Sequence, residues 1–300
     1  MPFLKKHILS LENRGVSTVV YKIKSKSMGI RITSIIRLRN YINSGDFNIL
    51  HTHWGYNALY TLGVNIPKVI TFHGSDLNIP KFWNIRTCTI YLISKLATII
   101  SDYNIFVTKA LARESLSKTG RASVIPMGIN LRDFFPMDQI KCRKKINLPI
   151  NKKLILFGGN SSQPVKRLEL AQSTVELLND DYELITIDYI SHELIPFYLN
   201  ACDVLLMTSF NEGSPMMIKE AIACNLPIIS TDVGDVKELV DGIKNCSIIP
   251  DESPRTIASM IISCVKNKIR SNGARKMENY SLEVTSEKVL NIYKKILKKI

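Results

Sequence analysis

The sequence contains no uninterrupted apolar run approaching the roughly 18 residues that a membrane-spanning helix needs. Its opening, Met1-Pro-Phe-Leu-Lys-Lys-His-Ile-Leu-Ser-Leu-Glu12, is broken by Lys, His, Ser and Glu and does not read as a signal peptide. No C-x-x-C occurs. Cys88, Cys142, Cys202, Cys224, Cys246 and Cys264 are far apart, which suits reduced core residues of a cytosolic protein better than disulfides or a structural zinc. There is no repeat of fixed period and no low-complexity tract.

What is present is an ordinary globular composition, 45% hydrophobic and 22% charged over 300 residues. That length exceeds one compact core and suits two α/β domains. The net charge of +14 is unevenly placed. Residues 1–50 carry nine Lys or Arg against two acids, residues 261–300 ten against three, and the stretch between is neutral with 21 of each sign. A coding bias toward Lys, Ile and Asn would spread along the chain, so the surplus at the ends reads as segregation. Such a face fits an anionic membrane, at about 1 kcal/mol per basic residue near the lipid surface. The neutral middle has no aromatic–basic platform, which argues against nucleic acid as a partner.

Short β-branched runs alternate with helical patterns. The strands expected are Ser17–Ile23, Phe47–His53, Lys68–His73, Ile105–Thr108 and Ser123–Met127, then Lys153–Gly158, Tyr182–Ile187, Asp203–Thr208, Pro227–Thr231 and Ser247–Ile249. Lys109–Lys118, Arg167–Leu178 and Pro254–Lys266 read as helices between them. This alternation implies two parallel, helix-covered sheets. The stretch Pro126–Pro136 lacks either period and reads as a linker, giving domains over 1–136 and 137–283. Residues 284–300 form an amphipathic closing helix.

The most informative segment follows the strand Asp203–Thr208: Ser209-Phe-Asn-Glu212-Gly-Ser214-Pro215-Met-Met-Ile-Lys-Glu220-Ala-Ile-Ala-Cys224-Asn225-Leu-Pro227. Ser214 suits an N-cap and Pro215 the first helical position. The amides of Met216 and Met217 would then make an anion site at the positive end of the helix. Glu220, roughly 7 Å down the axis, has its carboxylate tilted back beside a bound phosphate, where it can accept two hydrogen bonds from a vicinal diol such as ribose. Glu212 lies in the loop beyond. Asn225 would close the helix in the left-handed conformation. Solvated helix decoration explains two glutamates alone, but not their combination with a strand, E-G-S-P, E-A and a Pro-led strand.

A second turn, Leu156-Phe-Gly158-Gly159-Asn-Ser-Ser-Gln-Pro-Val-Lys166-Arg167, leads into a helix but fits neither the P-loop nor the G-x-G-x-x-G spacing. Three of the five histidines fall in His51-Thr-His53-Trp and Thr71-Phe-His73-Gly-Ser-Asp76, both after strands, where parallel α/β sheets place their sites. No carboxylate or Cys completes a metal site there.

The segment from Ser209 through Pro227 to Glu238 resembles the donor-site signature of glycosyltransferase family 4, and the likeness extends over nearly all of the chain. The resemblance implies an α/β protein of two Rossmann-like domains facing a cleft, the GT-B fold, with retaining, metal-independent transfer and no cofactor. The family's E-x7-E pair falls on Glu212 and Glu220, the first near the donor sugar and the second on the donor ribose. Gly159 and Lys166 take the positions that reach the donor phosphates, with Arg167 adding charge where the family's usual Arg is Asn160. His73 takes the catalytic position near the transferred sugar, while His53 and Asp76 are candidate acceptor or sugar contacts.

Two further expectations follow from the likeness. The family's first strand and Gly-rich loop have no counterpart here, because the run Phe3–Gly15, matching the family's first helix, leads straight to the strand Ser17–Ile23. The closing helix would cross back onto the N-terminal domain, bringing both basic ends to one membrane-facing surface. The leading reading is an enzyme that transfers sugar from a UDP- or GDP-sugar to a glycan or lipid-linked acceptor, at the cytoplasmic face of the membrane, in surface polysaccharide or lipopolysaccharide assembly. The second is a shortened, non-catalytic subunit that still binds nucleotide-sugar.

Overall fold

The computed structural model describes residues 2–23, 32–78, 84–266 and 269–298. Its strands are β1 Leu50–His53, β2 Lys68–Phe72, β3 Tyr103–Phe106, β4 Ala122–Val124, β5 Lys153–Phe157, β6 Tyr182–Ile185, β7 Val204–Met207, β8 Ile228–Ser230 and β9 Cys246–Ile248. They form two sheets, ordered β1-β2-β3-β4 and β6-β5-β7-β8-β9, with every pairing parallel. The chain divides into two compact units. One, carrying the five-stranded sheet, comprises Met1–Lys6 and Met127–Val284; the other, carrying the four-stranded sheet, comprises His7–Pro126 and Thr285–Ile300.

In the five-stranded unit the alternation along each strand divides its side chains between two cores. Leu154, Leu156, Leu205 and Met207 pack with Ile218, Ala221 and Ile222 of the helix Met216–Ala223. Their neighbours Ile155, Phe157, Val204 and Leu206 pack with Ala171, Ile257 and Ile261 on the opposite face. Strands buried on both faces read as continuous apolar runs, which is why nearly all of them were visible in the sequence. In the four-stranded unit Val69, Tyr103 and Ile105 meet Leu11 and the last helix, Leu282–Leu297, through Val289, Ile292 and Ile296.

Two expectations fail. Residues 17–23 form no strand, and Val19, Val20 and Tyr21 are exposed. Strand propensity reports a side chain's fit to a pleated surface and supplies no ladder partner. Tyr21 instead lies against Tyr41, ring centroids 5.4 Å apart. Residues 127–136 are no linker, because Ile129 and Phe134 are buried and Ile129 bridges to Ser281. No helix among the described residues is long and apolar enough to cross a membrane.

Candidate functional site

In the five-stranded unit, β7 delivers the chain to the helix Met216–Ala223 through the loop that holds Glu212 and Ser214. Ser214 does not cap that helix. Its hydroxyl donates to Asp235 Oδ2 at 2.7 Å, and Pro215 stands at the cap position with no side-chain hydrogen bond. That bond ties the serine side chain to Asp235 instead of to the first turn of amides. The amides of Met216 and Met217 therefore open the helix without a capping side chain, which suits them to an anion. One turn on, Glu220 is buried, with Oε1 3.5 Å from His192 Nε2. His192 is held edge-on to the buried ring of Phe134, centroids 5.7 Å apart. Asn225 ends the segment at φ 53°, the left-handed conformation expected of it, and its Oδ1 accepts from Ala274 N at 2.8 Å.

The turn after β5 comes to the same place. A Cβ on Gly159 would lie 2.9 Å from Cγ and Cδ of Lys166, so the absence of a side chain there lets the lysine stem cross. The Lys166 ammonium pairs with the Glu212 carboxylate. Arg167 turns the other way: at φ 52° it ends the short 3-10 turn, donates from Nε to Thr208 O at 2.6 Å, and pairs its guanidinium with Glu252. The two basic residues thus separate, Lys166 toward Glu212 and Arg167 toward Glu252. The hydroxyl of Thr208 lies 2.8 Å from Lys166 O and 3.0 Å from Arg167 O, tying this turn to the end of β7.

Three residues beneath the loop carry weight that sequence reasoning did not assign. Gly234, at φ +60°, lies so close to the loop that a Cβ would sit 2.3 Å from Gly213 O. Asp235 holds Ser214, while its Oδ1 is buried without a hydrogen-bond partner. Lys219 is fully buried and donates to Met127 O at 3.3 Å. Burial pushes its ammonium down to about 8, opposed by Asp235 and Glu220. The only signal was a lysine among apolar residues in the helix Met216–Ala223.

In the four-stranded unit His53 ends β1 and His73 directly follows β2. His53 Nδ1 and His73 Nε2 are 2.9 Å apart. His51 stacks on His53 at 4.7 Å and spends its own nitrogens on Thr71 Oγ1, at 2.7 Å, and the Tyr293 hydroxyl. Asp76 is 1% exposed. Its carboxylate accepts from the amides of Gly55 (2.8 Å), Gly74 (2.9 Å) and His73 (3.1 Å), so it fixes backbone rather than presenting itself to a ligand. The predicted residues thus form two groups: Gly159, Lys166, Glu212, Ser214, Pro215, Met216, Met217 and Glu220 around one strand end, and His53, His73 and Asp76 around another.

Residues 138–267 match the family model for glycosyl transferases group 1, and residues 7–133 the model for glycosyltransferase family 4. A putative teichuronic acid biosynthesis glycosyltransferase of Bacillus subtilis, TuaC, is 26% identical over 71% of this chain, a match spanning only 60% of TuaC. Sucrose-phosphate synthase from Thermosynechococcus elongatus has a TM-score of 0.77 at 18% identity, over 89% of this chain and 78% of its own. Anabaena HepE, solved in complex with UDP and glucose, has a TM-score of 0.71 at 12% identity, over 87% and 81%. Two parallel α/β sheets, these structural likenesses and two family matches that together take in most of the sequence agree: the chain belongs to glycosyltransferase family 4 and has the GT-B class of fold.

Proposed function

We propose that the protein is a retaining, metal-independent glycosyltransferase, of the hexosyltransferase type, in bacterial surface polysaccharide assembly, with lipopolysaccharide or capsule as the product class. The donor is a UDP- or GDP-sugar and the acceptor a glycan or a lipid-linked glycan. The observation that carries this reading is the convergence at one strand end of an uncapped helix start, the carboxylate of Glu220 and the Lys166–Glu212 pair. A diphosphate fits the amides of Met216 and Met217, and Glu220 fits the ribose hydroxyls. Gly159 lets backbone approach the donor.

As the bond from sugar to phosphate breaks, negative charge grows on the leaving diphosphate, and a fixed cation there lowers the barrier. Lys166 supplies it. The acceptor hydroxyl attacks from the face the phosphate leaves, and the departing phosphate oxygen takes its proton. His73 and Glu212 are assigned to the transferred sugar. A neighbour solved with UDP and glucose supports a nucleotide-sugar donor, and a relative named for teichuronic acid biosynthesis supports the polysaccharide setting.

Attachment to the cytoplasmic face of an anionic membrane is supported by the basic ends, since residues 7–50 and 285–300 fall in the same unit. Lys24, Lys26, Arg31 and Lys299 of those ends lie outside the described residues. Sedimentation with anionic and neutral liposomes tests the attachment, and equal recovery with both would dismiss it.

For the donor, thermal shift against a panel of UDP- and GDP-sugars is the direct test, because a ligand at 100 times its Kd adds about 2.7 kcal/mol. The shift should vanish in Glu220→Ala and shrink in Lys166→Ala. Full shifts in both variants would sink the assignment, and a shift without turnover would favour the non-catalytic reading.

A further inference from the structure

β1 and β2 run parallel, with His53 opposite Thr71 in register, so His53 and His73 leave the sheet at the same end. Their rings meet nitrogen to nitrogen, His53 Nδ1 to His73 Nε2 at 2.9 Å, with centroids 5.1 Å apart. Both partners are held from behind. His51 stacks on His53 within 17° of parallel and is itself anchored by Thr71 and Tyr293. Trp54, at φ 66°, puts its indole 4.8 Å from the His73 ring, and the amide of His73 is bound by Asp76.

We infer that His53 is a positioning residue for His73: its Nδ1 holds Nε2 of His73, fixing the plane of that ring and coupling its tautomer to that of His53. The chemistry requires it. A neutral imidazole has one N–H and one acceptor, so a ring-to-ring hydrogen bond makes one nitrogen the donor and the other the acceptor. Whichever way the proton lies, Nδ1 of His73 must take the role opposite to its Nε2. Desolvation holds the His53 ring well below the ordinary histidine value, with His51, His73 and His7 adding to the effect, so it is uncharged at neutral pH. The ring assigned to the transferred sugar is therefore preset in direction, and its Nδ1 takes its hydrogen-bonding role from where the proton lies between the two rings. The consequence of this pairing for transfer rests on the role proposed for His73.

Ring-nitrogen NMR on histidine-labelled protein tests the pair without any activity. In the full-length wild type His53 and His73 should show complementary tautomers, one of the two facing nitrogens carrying the proton and the other none, and the His73 pattern should change in His53→Leu. His53→Asn, which keeps a polar group near the Nδ1 position, should restore the wild-type pattern. In turnover, His53→Leu should lower kcat by about tenfold with donor KM nearly unchanged, and His53→Asn should recover most of it. Both facing nitrogens protonated, or neither, in the wild type would overturn the inference, as would wild-type kcat in His53→Leu with the His73 signals unaltered. If His73→Ala keeps full activity, the catalytic assignment of His73 fails, and the NMR result still decides the pairing.

Discussion

Lys166 and Glu212, 46 residues apart in sequence, are joined as an ion pair where two loops of the five-stranded unit meet. The cation assigned to the donor phosphates is thus set by the acid assigned to the sugar. Removing either should have different effects. Lys166→Ala should lower kcat/KM by about 100-fold or more, because a fixed charge is lost where the leaving group gains one. Glu212→Gln should lower kcat while nucleoside diphosphate binds at least as tightly, since Lys166 is then no longer neutralised. Steady-state kinetics with calorimetric binding of UDP or GDP separates the two.

Lys219 gives a stability prediction with an unusual sign. Burial lowers its ammonium to about 8 against an ordinary value near 10.5, so the folded state holds this proton less well than the unfolded chain. Below about pH 8 the buried charge therefore opposes folding, and the opposition fades as pH rises from there toward 10.5. Lys219→Met should raise stability at pH 7 by about 2 kcal/mol, less whatever Asp235 loses without its neighbour. Donor KM should rise, because Lys219 lies beside Glu220 in the donor helix. Denaturant unfolding and kinetics on the same preparation check both, and a less stable Lys219→Met would contradict the argument.

Gly234 is placed where no side chain fits, by conformation and by space. Gly234→Ala should push Gly213 and the Glu212 loop away from Asp235, at about 1 to 3 kcal/mol of strain. We expect donor KM to rise by about tenfold while the four-stranded unit is unaffected. Hydrogen exchange resolved along the chain would localise the change to residues near 213 and 234.

The histidines of the four-stranded unit predict acid sensitivity. Desolvation, aided by Arg14, lowers His7 to about 4, and desolvation, aided by His7 and His73, lowers His51 to about 3. Each binds its proton more weakly when folded. The stability they contribute is complete above the unfolded value of about 6.5 and is lost as pH falls from there through the folded values. Unfolding at pH 5 should require about 2 kcal/mol less than at pH 7.5 for His7 alone. His7→Gln should flatten that difference when denaturation midpoints are compared.

The buried strands were legible because both faces of each are apolar, and the donor loop because its residue types have few other uses together. Asn225 could be read as left-handed from its place after an apolar helix. Ser214 was misread because the acceptor that draws its hydroxyl, Asp235, is 21 residues away and visible only once the loop is folded. The His53–His73 contact depended on the register of β1 against β2, which side-chain periodicity does not set. Residues 17–23 carried the composition of a strand but pair with none, and no local pattern distinguishes those cases.

Thr208 has a practical consequence for changing which donor this protein accepts. Its hydroxyl and carbonyl tie the end of β7 to Lys166 and Arg167 in the turn after β5. A donor loop transplanted from another family member across residues 208–214 would arrive without the turn it is fastened to. Chimeras should therefore exchange residues 158–167 and 208–214 as one cassette, and single-loop grafts should fold yet transfer poorly.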